Sequence, residues 1–91
     1  MEGHQPTKMT LADLLCVLRQ RLLDAVDQND RETLGELKTT LMILREASYQ
    51  SEDKQIVGIV VTLEDCTRDF LHGMGWKENI PSIEAIKSAL S

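Results

Sequence analysis

The sequence has four histidine and cysteine side chains, the types that ligate zinc or take part in thiol chemistry: His4, Cys16, Cys66 and His72. Their spacing argues against both uses. There is no Cys-x-x-Cys, Cys-x-x-His or His-x-x-x-His pairing, whereas a structural zinc site draws four closely spaced ligands. Cys66 and His72 stand six residues apart, which on a helix separates them by about 120° in azimuth. A reactive Cys–His pair needs a depressed thiol pKa and an oriented imidazole. Cys66 falls on an apolar stripe, where burial raises the pKa of a thiol. Cys16 lies beside Ala12 and Leu23 with no neighbouring base. The expectation is a buried thiol, a helix-capping histidine, no metal, no cofactor and no catalytic residue.

The charged clusters lead to the same expectation. Arg68-x-x-x-His72 is one residue shorter than the Arg-x(4–6)-His motif of helical ribonucleases, and its simpler reading is a solvated turn. Glu64, Asp65 and Asp69 sit close together. Helical Mg²⁺-dependent nucleotide hydrolases set acidic pairs on adjacent helices. The second pair would have to be Glu32 and Glu36, and no spacing brings the two sets together. A solvated acidic face is expected. Gly73-Met74-Gly75 follows a helix pattern instead of opening one, so it is no phosphate-binding loop.

Composition limits the partners. The chain has 91 residues, 10 basic against 15 acidic, and a net charge of −5. Its basic residues are scattered, which disfavours a phosphate-neutralising surface. Two cysteines are too few for a disulfide scaffold. No apolar run approaches the roughly 20 residues of a membrane span, and residues 1–9 lack the apolar core of a signal peptide. A cytoplasmic setting is the expectation, with residues 1–9 a flexible arm and residues 10–91 one helical domain.

The elements that must position any site are helices. Leu11, Leu14, Leu15, Leu18, Leu22, Ala25 and Val26 recur at spacings of three and four. They fall in a stripe about 120° wide. Thr10 with Asp13 has the spacing of a capping box. After Asn29, Asp30 is a good N-cap, and Leu34, Leu37, Leu41 and Leu44 form a second stripe reaching Tyr49. So short a link favours an antiparallel hairpin. Gly35, inside the second helix, suits either a close helix crossing or an indifferent site. Ser51 is expected to cap the third helix. Residues 56–63 are β-branched like a buried strand, but Ile56, Ile59, Val60, Leu63, Cys66, Thr67, Phe70 and Leu71 share one helical face. No other segment offers a partner strand, so a helix is predicted. Gly73 suits the left-handed position after that helix, and Pro81 is placed to open a last short helix through Ile83, Ile86 and Leu90. The fold class is all-α: a small antiparallel bundle of three main helices and a short fourth.

What remains for function is surface. Cys16 and Leu23 form a secondary apolar edge on the first helix, and Met42 and Ile43 lie outside the leucine stripe of the second. Val57 and Val61 flank the main face of the third, followed along that line by Glu64 and Arg68. Trp76 lies in a loop, where a tryptophan serves as a binding anchor or as a lid. The candidate interface residues are therefore Cys16, Leu23, Val57, Val61, Arg68 and Trp76. The expected function is a small acidic, non-catalytic protein–protein interaction module that docks on another protein and forms a homodimer. The alternative is a transcription regulator with a degenerate helix-turn-helix. Its recognition helix would offer only Lys54 and Gln55 to DNA, so nucleic acid is the weaker expectation.

Overall fold

The computed structural model describes residues 10–90; the expected arm and His4 lie outside them. Three long helices, α1 (Leu11–Gln28), α2 (Arg31–Tyr49) and α3 (Lys54–Leu71), precede a 3-10 turn (Lys77–Asn79) and a short α4 (Ile83–Ala89). The described residues contain no strand. The β-branched run 56–63 is helical, inside α3, as the unbroken apolar face requires.

Each boundary has a chemical cause. The Thr10 hydroxyl accepts from the Asp13 amide at 3.1 Å. Asn29 ends α1 in the left-handed region, φ 53°, and the Asp30 amide reaches back to the Ala25 carbonyl at 2.8 Å. Asp30 then caps α2, accepting from the Thr33 amide at 3.1 Å and the Thr33 hydroxyl at 2.7 Å. One residue closes a helix and the next opens another. Gly73 stands at φ 75° after α3. The amide of Met74 donates to the Asp69 carbonyl at 2.8 Å and that of Gly73 to Phe70 at 3.1 Å. These two bonds define a Schellman ending.

Two start signals differ from expectation. Asp53, not Ser51, caps α3, accepting from the amides of Gln55 and Ile56. Ser51 instead donates to the Ser48 carbonyl at 2.7 Å and so tightens the end of α2. Glu52 takes a left-handed φ of 62°, which delays the helix by two residues. At α4 the cap is Ser82, accepting from the Ala85 amide at 3.0 Å, and Pro81 lies before it.

The bundle is antiparallel. Arg31, opening α2, donates to the carbonyl of Leu71, closing α3, at 2.6 Å. Leu15, Leu18, Leu22 and Ala25 of α1 meet Leu34, Leu37 and Leu41 of α2 and Val60, Leu63 and Cys66 of α3 in one buried cluster. Ile80 and Ile86 complete it from the C-terminal segment. Each leucine so buried contributes roughly 1.5–3 kcal/mol. Arg19 Nε donates to the Pro81 carbonyl at 2.7 Å, fastening that segment to α1. Among the described residues, no helix is long and apolar enough to cross a membrane.

Candidate interaction surface

Of the residues with chemical potential, Cys66, Glu64 and Asp65 are engaged in structure, while His72 stands exposed at the C-cap of α3. Cys66 is buried, and its thiol contacts the Asn79 carbonyl at 3.3 Å. Burial, followed by the charges of Asp69 and Asp65, pushes that thiol above its ordinary value. The acidic cluster is not a single solvated face. Glu64 turns inward, 4% exposed, and accepts from Arg45 Nη1 of α2 at 2.6 Å. It does not continue the outer line of Val57 and Val61, because the guanidinium supplies a buried counter-charge. Asp65 points outward and pairs with Arg68 at 3.1 Å. Among the described residues, no three His, Cys, Asp or Glu side chains are grouped to hold a metal ion.

The six candidate interface residues separate into three places. Cys16 and Leu23 are half-buried and pack against the core. Arg19 lies between them on the same face of α1 and holds Pro81, so the C-terminal segment runs along this side. Val57 and Val61 meet in an open groove of about 620 Å³, with Tyr49, Glu52, Lys54 and Gly58. Its floor is the two valines and the bare backbone of Gly58. A Cβ added at Gly58 would meet nothing within 4 Å. Arg68 lies two turns beyond Val61 on the same side of α3. Trp76 lies apart from these, past the end of α3.

Trp76 is 66% exposed and Met74 64%, yet the loop that carries them is braced. The Phe70 ring lies so close to Gly75 that an added Cβ would stand 2.6 Å from it. Lys77 forms an ion pair with Asp27 of α1, and the Asn79 amide donates to the Trp76 carbonyl at 3.0 Å. Two large apolar side chains are thus presented by backbone fixed to α1 and α3. Trp76 is a candidate residue legible from sequence as a loop tryptophan, and it is exposed. Met74 is not, since it falls on no periodic stripe, and Tyr49 reads from sequence only as the end of the second helix. Ile43 and its neighbour Met42 add exposed apolar surface on α2.

Comparison of the chain with known proteins finds no matching family model, no matching curated protein and no matching solved structure.

Proposed function

We propose that this chain is a small acidic protein–protein interaction module without catalytic chemistry of its own: an adaptor, a regulatory subunit or an inhibitor of a larger protein. The observation that carries the reading is the pair Met74 and Trp76, large, apolar and exposed on a braced loop. Tryptophan is enriched among the residues that dominate interface energies. A loop already fixed in place loses little freedom when a partner covers it. The engaged state of Cys66, Glu64 and Asp65 supports a structural role for the residues that could otherwise do chemistry.

The net charge of −5 favours a partner with a basic docking surface, chiefly through faster encounter. An inhibitor that imitates the charge of a nucleic acid is a special case of this reading. Val57 and Val61, half-buried along the open α3 groove, support homodimerisation through α3. A cytoplasmic setting accords with the two unpaired thiols.

The test is parallel affinity capture with the wild-type chain and with Trp76→Ala, followed by reconstitution of each recovered protein in purified form. A partner whose affinity falls about 30-fold or more with Trp76→Ala fits a tryptophan anchor. Its association should also slow steeply with added salt. A reconstituted partner that binds both forms equally removes the loop from the proposal. Tight, salt-sensitive binding to duplex DNA would replace the proposal with the transcription-regulator reading.

A further inference from the structure

The outward side of α3 is complementary to its own reverse. Lys54, Val57, Gly58, Val61, Asp65 and Arg68 follow one another along it. At 100° per residue they span about 100° of the circumference. Lys54, Gly58, Val61, Asp65 and Arg68 alternate spacings of four and three, the seam period of paired helices. Glu52, in the turn before the helix, lines the same groove as Lys54 and the valines. Read along the chain, the order is acid, base, apolar centre, acid, base.

That order distinguishes between orientations. A second α3 laid parallel would set each charge against its like. Laid antiparallel about a two-fold axis between Ile59 and Val60, it sets Lys54 against Asp65 of the second copy. Glu52 then faces Arg68 of the second copy, and Gly58 faces Val61 of the second copy. Every pair occurs twice, as an isologous contact requires. The missing Cβ of Gly58, with open space around it, lets two backbones approach at the centre. The existing Asp65–Arg68 bond joins side chains 46% and 47% exposed. Such a surface pair is weak enough to exchange for a partner across the interface.

We infer that the occupant of the α3 groove is a second copy of this chain, crossing antiparallel with Lys54 paired to Asp65 and Glu52 paired to Arg68 of its mate. This inference rests on the homodimer reading above and adds its register and orientation.

Sedimentation equilibrium of the full chain tests it with two charge reversals, Lys54→Asp and Asp65→Lys. Each places like charges together at both ends of the crossing, and each should weaken self-association about tenfold or more. Mixed in equal amounts, the two variants should associate to within a few-fold of wild type, because each then supplies what the other lacks. Circular dichroism checks that each variant is folded. Should one not fold, Glu52→Arg and Arg68→Glu provide the same crossing at the outer pair. A mixture no tighter than its components, with wild type dimeric, overturns the register and leaves the homodimer standing. A wild-type chain that stays monomeric throughout the micromolar range overturns both.

Discussion

Arg45 of α2 and Glu64 of α3 form a charge pair across the longest helix–helix contact, with Nη1 to carboxylate 2.6 Å. Glu64 is 4% exposed, and the Arg45 Nε is buried without a hydrogen-bond partner. A buried pair of this kind adds little net stability, but removing one member strands the other charge. Arg45→Met should therefore destabilise by roughly 3 kcal/mol. The double variant Arg45→Met/Glu64→Met should recover most of that loss, since neither a stranded charge nor an orphaned donor remains. Urea unfolding of the three proteins checks this. A double variant less stable than the single would show that the pair itself stabilises the fold.

The two glycines after α3 differ in what they tolerate. Gly73 holds φ 75° with open space around it. Its replacement by Ala should cost about 1 kcal/mol, the steric penalty of a left-handed Cβ. Gly75 is limited by contact, because its new Cβ would meet the Phe70 ring at 2.6 Å. Gly75→Ala should cost about 1–3 kcal/mol through overpacking. Truncating the ring with Phe70→Leu should reduce the Gly75→Ala penalty and leave that of Gly73→Ala unchanged. Thermal unfolding of the single and paired variants resolves the two mechanisms.

Gly35 should respond in the opposite direction. It lies inside α2, and an added Cβ meets nothing within 4 Å. The close crossing that would justify it is absent, so it weakens the helix without a packing return. Gly35→Ala should raise stability by about 0.5–1 kcal/mol, measured by chemical denaturation. A loss on substitution would mean that this face is covered in solution.

Cys66 gives the fold an alkaline sensitivity. Burial first, then Asp69 and Asp65, raise its pKa above the ordinary 9.0. The folded state therefore holds the thiol proton more firmly than the unfolded state does. Its contribution is fully present below the ordinary thiol value and is lost as pH rises through 9 toward the folded pKa. Cys66→Ala should flatten the fall in stability above pH 9 relative to wild type, whatever its effect at pH 7. Parallel slopes for the two proteins would exclude the thiol as the cause.

Periodicity made the helices legible because it reports a local property, the face that each residue occupies. The leucines of α1 and α2 and the hinge at Asn29–Asp30 follow from it directly. It does not report what covers each face. Cys16 and Leu23 read as a spare edge, yet they pack on the core where Arg19 receives Pro81, 62 residues away. Glu64 read as solvated, because its counter-charge lies 19 residues earlier on another helix. Ser51 reads from sequence as the cap of α3 because it and Asp53 are both good acceptors. The left-handed turn at Glu52 decides between them. Met74 gave no periodic signal, because loop exposure depends on the tertiary bracing of the chain around it.

The fastening of Pro81 to Arg19 also bears on the order in which the molecule comes apart. α2 and α3 are joined by a short turn, and the contacts nearest it, such as Arg45 with Glu64, are far closer in sequence than that of Arg19 with Pro81. Such contacts form early and survive fluctuation. The C-terminal helix, seven residues long, is too short to persist by itself and depends on distant contacts with α1 and α3. It is the segment expected to lift first, well below global unfolding. Its amides should exchange with deuterium ahead of those in α2. The Cys66 thiol, which contacts Asn79 at the base of the same segment, should become reactive in step with that exchange.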